Sequence, residues 1–515
     1  MVLVVFNSCT KNFEKYNTDT NGVTDEELIP DFNNIGGFFP GLQLPYTGNN
    51  VIHMDIVEHV SAGTYSGYTT VTIPGRFNNV YSIYVGWDAY NFMNIGLGQT
   101  MATVRELKRR EADVQAPEFF AIAKIIQVMS MEKVTKVYGP VPYSAYGTGG
   151  VSVSYDKEKD IYYTFFDELD KAQQTLTAFV QQFPGAKPFE KFDRMYGGDY
   201  TKWIKYANSL RLRLAMRLVK VDPEKARTEA EKAVADGVFT SNDDNSQVSY
   251  ETNYSNALYV TAHVWEDIRA CGTIISYMRG YNDPRLTAYF ERSEAMPGEY
   301  VGIRGGGVNL DHSALTKYSN VSKKNFDNLS PTVYLSAAEV YFLRAEGVLR
   351  GWDMGGGTVQ ELYEKGVATS FAQWGLSGSF NGYINDASSA PADYVDPITP
   401  SNSINAISNI TIKWEEAVSN EIKLERIITQ GWIAQFPDAT EAWTTYRRTG
   451  YPKLFPVVVN ESDGQIDTEI QIRRLPYPQS EYQTNQAEVT KAVTLLGGPD
   501  TGGTRLWWDL DQGNF

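Results

Sequence analysis

The chain is short of the residues that hold metals and disulfides. Its 515 residues include only two cysteines, Cys9 and Cys271, and four histidines. The cysteines form no CxxC pair, which disfavours both a disulfide framework and a thiolate zinc site. His53 and His59 stand six apart in HMDIVEH, not the four that sets two imidazoles on one helix face, so they read as ordinary surface or core residues. The glycine tracts GIRGGGVN and DMGGGTVQ lack the GK[ST] ending of a phosphate loop and are read as turns. No GxSxG nucleophile elbow occurs. Positive charge is also in deficit: 46 Lys and Arg against 62 Asp and Glu give a net charge of −16, which would repel phosphate backbones and disfavours nucleic acid as a partner. No apolar run approaches the roughly 20 residues of a membrane-spanning helix. Acidic clusters such as those at 243–244 and 415–416 read as solvated faces. A glycosidase needs only two suitably spaced carboxylates, and 62 acidic residues leave that chemistry open.

What the chain has in quantity is apolar and aromatic mass. Hydrophobic residues make up 42% and charged residues 21%, a globular composition, with 33 Tyr, 24 Phe and 10 Trp. At about 150 residues per domain the length would divide into about three domains, unless one large helical assembly absorbs it. Helical periodicity comes in blocks. Ile161, Phe165, Leu169, Ala172 and Leu176 fall on one face, and Trp203, Ala207, Leu210, Leu214 and Leu218 repeat the pattern with Arg211, Arg213 and Arg217 on the polar sides. Asp222 and Pro223 open a third helix that ends at Gly237. Residues 79–110 and 116–136 read as a long helical pair. Later pairs are 333–349 with 358–373, and 413–434 with a short helix near 439–446. About four such hairpins, with AEVYFLRAEG and ELYEKGVATS placed as in a tetratricopeptide repeat, predict a mainly α fold: a helical-hairpin scaffold with few short strands. The long segments 30–78, 143–158, 239–260, 281–330, 375–412 and 452–505 lack helical pattern. They are expected to form one side of a single interwoven unit.

Two features bear on function. Met1 to Cys9 reads MVLVVFNSC, a short apolar run, a small residue and a cysteine, followed by polar chain. It looks like the tail of a bacterial lipoprotein signal or, alternatively, a buried N-terminal strand with a free thiol. Cys271 reads as a buried small hydrophobe. Aromatic residues mix with hydrogen-bonding groups in two loop runs: Tyr65, Tyr68, Arg76, Asn78, Tyr81 and Trp87, then Arg304, Asn309, Asp311 and Tyr318. Flat rings beside Asn, Asp and Arg suit a sugar, whose apolar C–H faces stack while its hydroxyls bond. Most of the aromatic residues must nevertheless be packing residues.

The strings QGWIAQFPDATEAWTTYRRTGYP at 430–452, RRLPYPQSEYQTN at 473–485 and LWWDL at 506–510 resemble the C-terminal signature of the SusD/RagB family of Bacteroidetes outer-membrane nutrient-binding lipoproteins. Matches at NSLRLRLAMRLVKVDP, NDPRL, AEVYFLRAEG and CTKNFEKYNTDTNGVT extend the resemblance over nearly the whole chain. It implies four tetratricopeptide-like hairpins, a lipid anchor on Cys9 after a truncated signal over 1–9, a tether over 10–30, and one unit over 31–515. It further implies a non-catalytic, cofactor-free protein that captures glycans as the lid of a SusC-like TonB-dependent transporter. The alternatives are an oligopeptide-binding relative, a cell-surface glycosidase, or a tetratricopeptide adaptor without a small ligand. Arg447, Arg448 and Tyr451 of the RRTGYP string are expected to be structural. For the ligand site, composition and position select Arg76, Asn78, Tyr81, Trp87, Arg304, Tyr318 and Trp352.

Overall fold

The computed structural model describes residues 28–44, 55–74, 77–82, 90–149, 152–250, 254–308 and 311–515. Among them, the α-helices of eight residues or more are α1 (Ala102–Arg109), α2 (Pro117–Tyr138), α3 (Glu158–Gln182), α4 (Tyr200–Arg217), α5 (Pro223–Ala235), α6 (Gly272–Gly280), α7 (Ala337–Leu349), α8 (Val359–Gln373), α9 (Asn420–Gln435), α10 (Ala439–Thr449) and α11 (Gln486–Leu496). Four short strands complete the pattern: β1 (Thr69–Val71), β2 (Ser246–Val248), β3 (Ile268–Ala270) and β4 (Thr332–Leu335). They pair as two antiparallel ribbons, β1 with β3 and β2 with β4. The fold is mainly α, with the hairpin scaffold expected from the sequence.

The hairpins are α2–α3, α4–α5, α7–α8 and α9–α10, and α3 packs on α4, α4 on α7 and α7 on α9. Helix α3 buries Ile161, Phe165, Leu169, Ala172 and Leu176, the stripe its periodicity marks. At the start of α5 the Asp222 carboxylate accepts the Lys225 amide at 3.2 Å, Pro223 occupies the first turn, and Gly237 follows the helix at φ +95°. Ser336 caps α7, and a reciprocal Thr358–Glu361 capping box opens α8. These two helices cross closely at Gly366, where a Cβ would meet the Phe342 ring at 2.8 Å.

Three boundaries differ from expectation. The 79–110 helix is interrupted at Tyr81, whose φ of +62° is left-handed, and Tyr90–Met101 form a π-helical run before α1. The segment 333–335 belongs to β4, which pairs with β2, so α7 starts only after the Ser336 cap. Helix α9 likewise starts only at Asn420, where Ser419 accepts the Ile422 amide.

A larger correction concerns Arg211, Arg213 and Arg217. They are buried, not solvated, because each has a carboxylate to meet. Arg211 pairs with Glu229 at 2.5 Å and Asp170 at 3.2 Å, Arg213 is bidentate to Glu339 at 2.6 Å, and Arg217 donates to both Glu441 oxygens at 2.8 Å. From α2, Lys136 joins Glu132 at 3.1 Å and Glu441 at 3.0 Å, and Lys133 joins Asp438 at 3.3 Å and Glu58 at 3.6 Å. Helices α2, α4, α7 and α10 are thus tied through one buried network of alternating charge.

A second knot joins α7 to α10. Arg448 grips Glu346 with bonds of 2.6 and 2.7 Å, and Arg350 adds another at 2.9 Å. Burial alone would raise the Glu346 pKa, but the two guanidiniums overcome it and hold the carboxyl down at about 2. Arg448→Ala would strip the buried Glu346 carboxylate of its bidentate partner, leaving it with Arg350 alone, and is expected to cost about 3 kcal/mol by denaturant unfolding. Because the folded pKa lies below the ordinary 4.5, the Glu346 contribution is full above about pH 4.5. It is lost as pH falls towards 2, so acid titration of Arg448→Ala should be flatter than wild type in that window.

Candidate functional site

Several of the irregular segments are stitched to one another by hydrogen bonds. The ribbon of β1 and β3 is extended by Thr72, whose amide donates to the Asp267 carbonyl at 2.9 Å and whose hydroxyl donates to the Glu266 carbonyl at 2.7 Å. Asn79 accepts the Gly306 amide at 2.7 Å, Asn402 accepts the Val308 amide at 3.0 Å, and Val458 donates to the Gly305 carbonyl at 3.0 Å. The described residues of 72–74, 77–82, 263–268, 303–308, 311–318, 394–404 and 455–461 are therefore connected, with little regular structure.

Arg304 is the clasp of this surface. Its guanidinium donates to the Asn402, Ser403 and Pro456 carbonyls at 3.2–3.3 Å, and burial lowers its proton affinity. Tyr318 is buried, with its hydroxyl donating to Asp396 at 2.8 Å; burial first and that carboxylate second push its pKa up. Tyr81 is buried with its ring 6.3 Å from that of Tyr65. Trp352 lies apart from these loops, half-buried against the core in the turn between α7 and α8, where its amide donates to the Gly347 carbonyl at 3.0 Å. Arg76 and Trp87 fall outside the described residues, as does the side chain of Asn78, which belongs to the short helix Phe77–Val80. The structure thus brings Arg304 and Tyr318 together as supports of one loop surface, Tyr81 into the core and Trp352 onto the scaffold.

One ring on this surface was missed by the sequence reading. Trp265 is 40% exposed on the turn between Val264 and Asp267, whose Glu266 and Asp267 carbonyls are bonded by Thr72 just beyond β1. The turn is strained: Glu266 has a φ of +55°, rare outside glycine and unfavourable by roughly 1–3 kcal/mol. Arg269 holds it, pairing with Glu266 at 2.8 Å and donating to the Thr316 carbonyl at 2.9 Å. His312 Nδ1 lies 3.2 Å from the Thr72 carbonyl, bringing the 311–316 turn to the same rim. Trp265 is thus a partly exposed ring carried on a turn that Arg269 holds in place. The signal was in the string AHVWED, where Val264 and Trp265 continue apolar beyond the stripe that buries Thr261 and Ala262.

Away from this surface, a cavity of about 260 Å³ lies between β4 and residues 434–438, lined in part by His59, Lys133, Phe326 and Asp438. His59 is a core histidine, held neutral by burial and by Lys133 with its pKa down at about 3. Of the selected residues within the described part, Tyr81, Arg304, Tyr318 and Trp352 do not line it. Cys271 is buried, and burial raises its thiol pKa. Among the described residues no cluster of three His, Cys, Asp or Glu is placed to hold a metal ion, and no helix is long and apolar enough to cross a membrane.

The model of the SusD-like family, described as SusD and RagB outer membrane lipoproteins, matches residues 15–509. The chain belongs to the SusD/RagB family. Solved relatives agree over nearly full length. A chitin-binding SusD homologue from Flavobacterium johnsoniae is 40% identical with a TM-score of 0.89, covering 94% of this chain and all of that one. A SusD homologue from Bacteroides thetaiotaomicron is 37% identical with a TM-score of 0.85, covering 92% and 99%. One from Bacteroides vulgatus is 34% identical with a TM-score of 0.88, covering 94% and 99%. No curated protein matches.

The strings that carry the SusD/RagB resemblance prove architectural. In NDPRL, fully buried Arg285 binds Asp283 in bidentate fashion at 2.7 and 3.0 Å and reaches Ser370 and Gln430, each at 3.0 Å. In RRTGYP, Arg447 is stacked between Trp443 at 3.7 Å and Trp508 at 4.9 Å and donates to the Arg473 and Lys136 carbonyls at 2.7 Å. Tyr451 donates to Glu421 at 2.9 Å. Arg447, Arg448 and Tyr451 thus join the last scaffold helix to neighbouring segments, the structural part expected of them.

Exposure separates platform from support. Trp265→Ala should change the unfolding free energy by about 0.5 kcal/mol or less. Tyr318→Ala should cost about 3–5 kcal/mol, since it opens a cavity and removes one of the donors to buried Asp396, which keeps the Tyr394 hydroxyl and the Ile398 and Thr399 amides. Chemical denaturation of the two variants checks the contrast.

Proposed function

We propose that this protein captures oligosaccharides at the bacterial surface and passes them, unmodified, to a SusC-like TonB-dependent transporter, over which it acts as a lid. The observation that carries this reading is the near-full-length similarity, at 40% identity, to a SusD homologue described as chitin-binding. Chitooligosaccharides are accordingly the first ligands to test. The loop surface suits them chemically: an exposed ring for the apolar sugar faces, with Asn, Asp, Arg and backbone groups around it for hydroxyls and acetamido groups. Trp265 joins Arg76, Asn78 and Trp87 as the residues through which we expect the ligand to be held, with Arg304, Tyr318 and Tyr81 supporting them from beneath. Trp352, on the scaffold, is assigned to the transporter-facing side. Cys9 lies outside the described residues and is proposed as the lipidated residue, with 10–30 as tether and 31–515 as a single unit. The role asks nothing of the chain but binding, so neither catalysis nor a cofactor is assigned.

Calorimetry on the soluble form beginning after Cys9, against panels of chitooligosaccharides, other glycans and peptides, tests the reading. Saturable binding of an oligosaccharide without release of shorter products is expected. At 100 times its dissociation constant the ligand should add about 2.7 kcal/mol of stability, and Trp265→Ala should weaken binding at least tenfold. Binding of peptides alone would replace the glycan reading with the oligopeptide one, and product formation would overturn the non-catalytic assignment.

A further inference from the structure

Where α10 ends, an open pocket of about 490 Å³ is enclosed by the 446–456 turn, the 404–407 loop and the C-terminal segment 505–512. Its volume is within the range of roughly 300–1,000 Å³ usual for small-molecule sites. Five cations line it, Lys220, Arg447, Lys453, Arg473 and Arg505, against the carboxylates of Glu469 and Asp511. Beneath them Asp509 is already shared, accepting from Arg473 Nε at 2.7 Å and from Arg505 at 3.0 Å. Five positive groups thus meet three negative ones in a chain whose net charge is −16. The local excess runs against the rest of the molecule.

Three of the five have no carboxylate partner. Lys220 donates to the Gln512 carbonyl at 2.9 Å, and Lys453 sits over the Tyr451 ring at 4.7 Å. Arg447 gives its terminal nitrogens to two backbone carbonyls and the Thr444 hydroxyl, and its buried Nε has no acceptor. The environment resists these charges. Burial first, and then the neighbouring Arg473 and Arg217, bring the Arg447 pKa down to about 9 in spite of Asp509. Burial and the neighbouring Arg448 bring Lys220 to about 8. A partly buried, under-compensated cluster of cations is costly by itself and is relieved by an anion that binds several of them at once. Exposed Ile470 and Ile407 on the rim offer apolar contact beside the charge.

We propose that this pocket binds an oxyanion, a sulfate, phosphate or carboxylate group, borne on a sugar residue. The oxyanion part stands on the pocket alone; the sugar that carries it rests on the glycan-binding reading above. The stacking of Arg447 between two tryptophans fixes the floor, while Lys220 and Lys453, held only by a backbone carbonyl and a ring face, can exchange those contacts for the ligand.

The test is calorimetry on the same soluble chain at constant ionic strength, with chloride as the balancing anion. The probes are inorganic sulfate, glucose 6-sulfate, glucuronate and glucose. Saturable binding of sulfate, tighter binding of glucose 6-sulfate and no binding of glucose are expected. The Lys220→Gln/Lys453→Gln double variant should weaken sulfate at least tenfold, with a ligand-free melting temperature no lower than wild type, since it removes unpaired cations. Absence of saturable sulfate binding, or affinity unchanged in the double variant, would overturn the site. Sulfate binding with no gain from the sugar would keep the oxyanion site and overturn its sugar. Failure of neutral chitooligosaccharides to bind would count against the glycan-capture reading while leaving the sulfate result to stand.

Discussion

The fold depends on charges that have been taken out of water and made to satisfy one another. Lys133, Lys136, Arg213 and Arg217 meet Glu58, Glu132, Glu339, Asp438 and Glu441 where α2, α4, α7 and α10 converge, and all nine side chains are buried or nearly so. Each ion alone would cost several kcal/mol to bury, so the arrangement survives only as a complete set. The carboxylates divide accordingly. Asp438, facing Lys133, Arg213 and Lys136, is held down at about 2, whereas burial wins at Glu58 and raises it. Such a network fixes which hairpin meets which, because sliding one helix by a turn would separate the pairs it makes with the others and leave buried charges unmatched. Apolar packing, with Trp203, Trp432, Trp443 and Trp508 all fully buried, then fills the space the network defines.

The same device, in single arginines, holds the loops. Arg285 gathers Asp283, Ser370 and Gln430, Arg304 gathers three carbonyls of the 402–403 and 456 segments, and Arg474 donates to the Tyr138 carbonyl at 2.8 Å. A planar guanidinium with five donors satisfies backbone carbonyls that no sheet or helix serves. Long stretches without regular structure can thereby present a fixed surface. A binding platform benefits, since a ring already held in place loses little freedom when a sugar stacks on it.

Much of the scaffold was legible in the sequence because helical periodicity is a local signal. The stripes Ile161 to Leu176 and Trp203 to Leu218, and the Asp222–Pro223 start, translated directly into α3, α4 and α5. Where the reading failed, a non-local interaction had decided. Arg211, Arg213 and Arg217 look like a solvated face until their partners on α3, α5, α7 and α10 are known. Residues 333–335 look helical until β2 supplies a strand to pair with. The break at Tyr81 is a matter of φ, which no composition reports. The loop surface was least legible of all. Arg304 and Tyr318 were found as residues of the right kind, yet their partners make them supports, and Trp265 was passed over because one exposed ring in a short helix-like string resembles the dozens that pack the core.

The central claim is that the loop surface receives the ligand while the hairpins remain a rigid frame. Hydrogen–deuterium exchange of the soluble chain with and without chitohexaose tests it most directly. New protection confined to residues 72–82, 263–268 and 303–318, with the helical hairpins unchanged, is the predicted result. Protection centred on the hairpins, or none at saturating ligand, would contradict it.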